Sequence, residues 1–170
     1  MRHISIIAIT VVFIAGSLTA KAGDETEPVI LKDTVNVSFG KVWEAVKSAM
    51  TEFGCQKPQT EKVIEPEDEV GFYTGVYVSD FCMIVTGEDS TRVVMERYGE
   101  LPRVRGGIWI TGRIQYKINV KEFGIRQTAI VLRAELSGFE EFITNKVYFW
   151  TSNGILERDM MAKILAKIEE

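Results

Sequence analysis

Histidine is nearly absent from this chain, because the only one is His3, close to the N-terminus. Residues 23–170 therefore lack the group that a Ser-His-Asp triad, a Cys-His dyad or a His-ligated metal centre requires. Charged residues are 26% of the sequence, hydrophobic residues are 46%, and the net charge is −4. These values are typical of a globular protein and exclude a wholly disordered or collagen-like chain.

Long apolar runs are also scarce, and the one at the N-terminus has the form of a secretory signal. Arg2 and His3 give a positive start, residues 4–16 are apolar, and residues 20–22 are a small-x-small cleavage site. A membrane anchor is the alternative, but this run of about 13 residues is shorter than the roughly 20 that a helix needs to cross a bilayer. We expect residues 1–22 to be a signal peptide cleaved after Ala22. The remaining protein is expected to be periplasmic or secreted, without a membrane span.

Cysteine is limited to Cys55 and Cys82. In an oxidising compartment an even pair indicates a disulfide. Spacing alone cannot place the two sulfurs within reach, so two unpaired thiols packed as small apolar groups remain the alternative. Two cysteines without histidine do not complete the four-ligand set of a zinc site, and we expect neither a metal nor a cofactor.

The order of the predicted elements favours one α+β domain over residues 33–170, after a flexible, acidic lead-in at residues 23–32. Apolar residues recur at helical spacing from Phe39 to Phe53 and again from Leu156 to Ile168. We expect an antiparallel sheet in two layers, packed by these N-terminal and C-terminal amphipathic helices in a helix-grip-like arrangement. The sequence predicts a first strand at 33–37, before the first helix. Between the two helices it predicts strands at 55–64, 70–79, 105–121 and 127–137, a short strand near 92–95, and a loop with a short segment over 138–151.

The predicted strand over residues 105–121 alternates strictly between apolar and polar residues, so one of its faces should be buried and the other wet. The wet face carries Trp109, Arg113, Lys117 and Lys121. Aromatic residues and arginine are enriched at interfaces, so this face suits an anionic ligand or a partner protein. The alternative is an ordinary solvated sheet face.

Two segments resemble a pattern found in small exported bacterial proteins of unassigned role. Residues 37–46 read Val-Ser-Phe-Gly-Lys-Val-Trp-Glu-Ala-Val, and residues 152–157 read Ser-Asn-Gly-Ile-Leu-Glu where the last helix starts. Over residues 33–169 the element order is also similar to the helix-grip domains of the BamC type, found in outer-membrane assembly lipoproteins. The lipidated cysteine of those lipoproteins is missing here. The resemblance implies a fold and brings no catalytic residues.

No catalytic set stands out in the sequence. Ser38 and Lys41 belong to the start of the first helix, and neighbouring acids such as Glu140 and Glu141 are expected to be solvated. The acidic balance and the export signal disfavour nucleic acid.

Two hypotheses of function remain. The first is a non-catalytic protein-interaction module of the cell envelope, with Tyr73 and Tyr77 as further exposed aromatic residues. The second is a carrier of a small apolar ligand in a cavity between the helices and the sheet. Bulky side chains at the inward strand positions favour the interaction module.

Overall fold

The computed structural model describes residues 27–55, 57–67 and 71–170. The predicted signal peptide lies outside these residues, as do residues 23–26 of the predicted lead-in. The described elements are β1 (Ile30–Val35), α1 (Phe39–Glu52), β2 (Pro58–Ile64), β3 (Thr74–Ser79), β4 (Cys82–Thr86), α2 (Glu88–Glu96), β5 (Trp109–Gly124), β6 (Gln127–Glu140), β7 (Lys146–Thr151) and α3 (Ile155–Glu169). The strands form one seven-stranded antiparallel sheet packed against helices, which confirms the predicted two-layer α+β fold.

A long hairpin of β5 and β6 is the centre of the sheet, and each of these strands has two different partners on its outer edge. β4 pairs with the N-terminal half of β5 and β3 with its C-terminal half, and β2 extends the sheet beyond β3. β1 pairs with the N-terminal half of β6 and β7 with its C-terminal half. β1 and β7 therefore lie end to end along one edge of β6, with Ile30 opposite Arg133 and Thr151 opposite Glu135.

The helices lie on one face of this sheet. α1 and α3 pack against each other over β5 and β6. Met95 of α2 lies against Gly112 of β5, on the same face, and Trp43 of α1 lies against Gly75 of β3. These close contacts fill the layer between helices and sheet with large side chains. The fully buried strand residues of this layer include Ile114, Tyr116, Val120, Ile130, Leu132 and Leu136.

The first helix follows the sequence pattern closely. Its buried residues recur every three or four positions, from Phe39 to Met50, so one side of the helix faces the sheet. Gly54 follows the helix with a φ of +92°, a conformation that favours glycine, and this ends α1 where the sequence predicts.

The predicted disulfide is confirmed. Cys55, just after α1, is bonded to Cys82 at the start of β4, with 5.5 Å between their Cα atoms. The bond joins the helical layer to the sheet across 27 positions of sequence. Both cysteines are buried in the hydrophobic core, so the bond is shielded from solvent.

The predicted short strand near residues 92–95 is wrong, because α2 occupies this segment. Thr91 and Met95, four positions apart, are both buried, while Val93 between them is exposed. That spacing belongs to a helix, and packing of Met95 on the sheet overrides the preference of valine for strands.

The predicted loop over residues 138–151 is also wrong. β6 continues to Glu140, and β7 pairs with it over Lys146–Thr151. Both faces of β7 are apolar, so its sequence lacks the alternation by which a half-buried strand is recognised. The lead-in is shorter than predicted as well, since β1 already begins at Ile30.

Candidate functional site

The face of the sheet that points away from the helices is the candidate site, and we call it the open face. Within the described residues no helix packs on it. Directly opposed residues of antiparallel strands point to the same side, so the strand register assigns every residue of this face to a row that crosses the sheet.

Basic side chains dominate the rows near β1 and β3, which we call the basic half of the open face. One row sets Arg133 opposite Lys117, and another places Lys121 between β3 and β6. Glu135 is the only acidic residue that the described strands place on this face. The basic side chains are Lys32, Lys62, Lys117, Lys121 and Arg133.

The ion pairs of this face leave several positive charges unneutralised. Lys117 Nζ lies 2.6 Å from Glu135 Oε2, and both side chains are half-buried. Arg113, Lys121 and Arg133 have no ion pair with any described residue. In a chain of net charge −4, this segregation gives the open face a positive potential.

Apolar side chains dominate the rows near β4 and β7, which we call the aromatic half. One row runs from Met83 through Arg113 and Ser137 to Phe149. Phe149 is 53% exposed and Met83 is 50% exposed. Phe81, in the loop before β4, brings its ring centroid to 6.1 Å from that of Phe149, so two segments that do not pair meet over the sheet.

A groove of about 440 Å³ lies between the two halves, where β1 and β7 meet end to end. Lys117 and Arg133 form a basic wall of the groove, and Phe149 and Trp150 form an aromatic wall. The carboxylate of Glu135 lies between these two walls. Beside it, Gln115 is buried and donates hydrogen bonds to Gln59 Oε1 and to the backbone oxygen of Ser79. The groove is lined by Pro28, Lys117, Arg133, Ala134, Glu135, Phe149, Trp150 and Thr151.

The structure brings Arg113, Lys117 and Lys121 together on the open face, as the alternation predicts. Trp109 is not with them, and its predicted exposure is wrong. It is 2% exposed on the helix side, where its ring makes edge-to-face contacts with Tyr148 and Trp150.

A β-bulge explains this reversal. The register of β5 against β6 slips between Trp109 and Thr111. Trp109 is opposite Glu140, while Thr111 is opposite Phe139, the next residue of β6. One extra residue on β5 places the side chain before the bulge on the other face.

The predicted exposure of Tyr77 is also wrong. It is 3% exposed, and its ring lies edge-to-face against Trp43 at 6.2 Å between centroids. Burial is the main reason that the pKa of the Tyr77 phenol is raised, and the charge of Glu61 raises it further. Tyr73 is exposed as predicted, with its ring stacked on Phe39.

The sequence reading missed Arg133 and Phe149. Arg133 could have been identified, because it lies in the predicted strand over residues 127–137 between the apolar residues Leu132 and Ala134, and alternate residues of a strand point to opposite faces. Phe149 could not, because the sequence predicts its segment as part of a loop.

A buried carboxylate shapes the turn after β6, beyond the aromatic half. Glu140 was expected to be solvated, but it is fully buried. It accepts hydrogen bonds from the backbone N–H groups of Ile108, Phe142, Ile143 and Thr144, at 2.6–3.2 Å. Burial alone would raise the pKa of this carboxyl, but the hydrogen bonds outweigh burial and lower it to about 2.

Within the described residues there is no cluster of three or more His, Cys, Asp or Glu placed to hold a metal ion. In the same part of the chain, no helix has the length and hydropathy of a membrane span.

Comparison with known proteins gives limited likenesses. No protein-family model matches the chain, and no curated protein matches it significantly. It is similar to the crystal structure of a TBP-like protein from Parabacteroides distasonis, with 11% identity and a TM-score of 0.42, over 84% of this chain and 93% of that one.

Two other solved structures are similar at the same level. A DUF4468 family protein from Bacteroides ovatus has 9% identity and a TM-score of 0.38, over 84% of this chain and 87% of that one. A hypothetical protein from Helicobacter pylori has 10% identity and a TM-score of 0.33, over 95% of this chain and 97% of that one. Likenesses this distant carry no argument about function, and the resemblance to BamC-type domains stays a prediction.

Proposed function

We propose that this protein is a non-catalytic protein-interaction module of the cell envelope, and that it binds a partner protein on the open face. The segregation of charge is the observation that supports this most. Arg113, Lys121 and Arg133 have no ion partner among the described residues, and they share one uncovered face with the exposed ring of Phe149.

The size and composition of the face fit an interface. At about 3.3 Å per residue and about 4.8 Å per strand, it measures roughly 45 Å by 15–20 Å. That is on the order of 700–900 Å², near the roughly 800 Å² that each partner buries in a standard complex. Aromatic residues, methionine and arginine are the types enriched in interface cores.

The disulfide supports the proposed location of the protein outside the cytoplasm. A buried Cys55–Cys82 bond is typical of proteins that fold in an oxidising compartment. Together with the signal-like pattern of residues 1–22, it favours a protein that is exported, cleaved after Ala22 and periplasmic or secreted.

The other hypothesis, a carrier of a small apolar ligand, requires open space between the helices and the sheet. Trp43 and Met95 lie directly against strand backbone in this layer, and Tyr116 is fully buried there. These contacts favour the interaction module over the carrier.

Native mass spectrometry after mild cross-linking in cells tests the proposal. We would compare the wild type with the charge-reversed variant R113E/K121E/R133E on the open face. The variant K41E/R97E/R158E is the matched control, because its exposed side chains lie away from that face and its change in charge is the same.

The proposal predicts a complex with another protein in the wild type and the control, and its loss in the open-face variant. A small ligand released from all three on denaturation would instead support the carrier. A bare chain in the wild type, or equal complexes in all three, would contradict the proposal.

A further inference from the structure

We infer that the groove between β1 and β7 binds an extended acidic polypeptide segment, in which an aromatic or aliphatic residue stands four positions from an acidic one. This inference rests on the proposed function and specifies the chemistry of the partner. It follows from the topology of the groove, from its charge and from the spacing of its two walls.

The groove is a consequence of the sheet topology. Ile30 is opposite Arg133 and Thr151 is opposite Glu135, so Ala134 has no opposing residue on β1 or β7. On the helix side this break is closed, because Val29 packs against Gly154 just before α3. On the open face the break remains as the groove, with the strand of β6 as its floor.

The charge of the groove favours a carboxylate. Lys117 is already paired with Glu135, whereas Arg133 is exposed and has no ion pair within the described residues. A guanidinium can accept a carboxylate in a bidentate arrangement. Lys32, on β1 in the neighbouring row, adds a second positive charge for a second acid.

The distance between the walls sets the spacing in the partner. Phe149 is opposite Ser137, which lies four residues beyond Arg133 on β6. Four residues of strand span about 13 Å, and an extended peptide lying along β6 has the same rise. Its residues i and i+4 point to the same side. An acid over Arg133 therefore places residue i+4 over the exposed ring of Phe149.

A polypeptide suits this groove better than a membrane of acidic phospholipids. The carboxylate of Glu135 lies between the two walls, and 38% of its side chain is exposed. A dense anionic surface would bring further negative charge against this carboxylate, which opposes binding. A single extended segment can instead place a neutral residue there.

Fluorescence anisotropy with synthetic peptides tests the inference on the purified protein. The probe is a capped, dye-labelled serine peptide with Glu at positions 3 and 5 and Phe at position 9, made in both orders. One control replaces Glu by Lys. A second control moves Phe to position 8, which turns its side chain to the opposite face of an extended chain.

We expect the acidic probe to bind in at least one order, the Lys peptide not to bind, and the shifted peptide to bind at least fivefold more weakly. Arg133→Glu and Phe149→Ser should each lower the affinity at least tenfold. Lys41→Glu on α1 and Phe142→Ser in the β6–β7 turn, which change exposed residues outside the groove, should stay within twofold.

Equal binding of the acidic and basic peptides, or equal losses in Lys41→Glu and Arg133→Glu, would overturn the inference. Binding to phosphatidylglycerol vesicles that depends on Arg133, without peptide binding, would replace it by a lipid surface. If the open-face variant loses its cellular partner but no acidic peptide binds, the proposed function stands and this inference fails.

Discussion

The indole ring of Trp43 lies directly against Gly75, so that no Cβ fits at this position of β3. Phe39, one turn earlier on α1, reaches the same point, with a ring carbon 3.1 Å from where the Cβ would be. The contact seats α1 on the sheet, and it explains why a glycine occurs in a strand that is otherwise rich in β-branched and aromatic residues.

Substitution of Gly75 tests this contact. We expect Gly75→Ala to lower the free energy of unfolding by about 1–3 kcal/mol, because the ring of Trp43 must move. Gly40 on α1 is the control, since a Cβ there meets nothing within 4 Å. Gly40→Ala should raise stability by up to about 1 kcal/mol. Urea denaturation measures the free energy of unfolding of both variants. An unchanged value for Gly75→Ala would show that the layer between the helices and the sheet is loosely packed.

Two aromatic residues on opposite sides of the sheet should differ in how much they contribute to stability. Trp109→Ala should lower the free energy of unfolding by about 3–5 kcal/mol, because it removes a buried ring. Phe149→Ala should lower it by less than about 1 kcal/mol, because that ring is half in solvent. Thermal or urea unfolding separates the cases, and similar losses for both would argue against the β-bulge assignment.

The disulfide should contribute most of its stability through the unfolded chain. Closing a loop between Cys55 and Cys82, separated by 27 positions, is worth about 3–4 kcal/mol in the chain-entropy model. We expect a reductant to lower the free energy of unfolding of the wild type, measured by urea denaturation, by this amount, and to leave that of Cys55→Ala/Cys82→Ala unchanged. Free thiols in the folded, untreated protein would contradict the pairing.

Glu140 predicts a pH dependence of stability. Its pKa in the folded protein is about 2, below the usual 4.5, so the carboxylate stabilises the fold above pH 4.5. That contribution is lost as the pH falls from about 4.5 towards 2. Glu140→Gln cannot titrate, and its stability should change less over this range. If the free energy of unfolding fell equally with pH in the wild type and in Glu140→Gln between pH 4.5 and 2, the role of Glu140 would be refuted.

The fold was predictable where one physical signal dominated. The helical spacing of apolar residues in α1 located this helix well, and the alternation in β5 and β6 identified the central hairpin. The signal failed where both faces of an element are apolar, as in β7, or where tertiary packing overrode local preference, as at Met95 in α2.

The candidate site was predictable in part, for a related reason. Alternation placed Arg113, Lys117 and Lys121 on one face, because no register slip lies between them. It misplaced Trp109, because a bulge leaves no mark in a single sequence. The groove itself depends on β1 and β7 meeting end to end, and such a pairing of distant segments cannot be read from local patterns.

Site-specific photo-cross-linking in cells tests whether a partner protein binds on the open face. A photoreactive phenylalanine would replace Asn119 or Phe149 on the open face, and Ser48 or Ala162 on the exposed sides of α1 and α3. If a partner binds there, a discrete cross-linked protein forms from Asn119 and Phe149 and none forms from Ser48 or Ala162. Cross-links from the helix positions, with none from the open face, would contradict binding on this face.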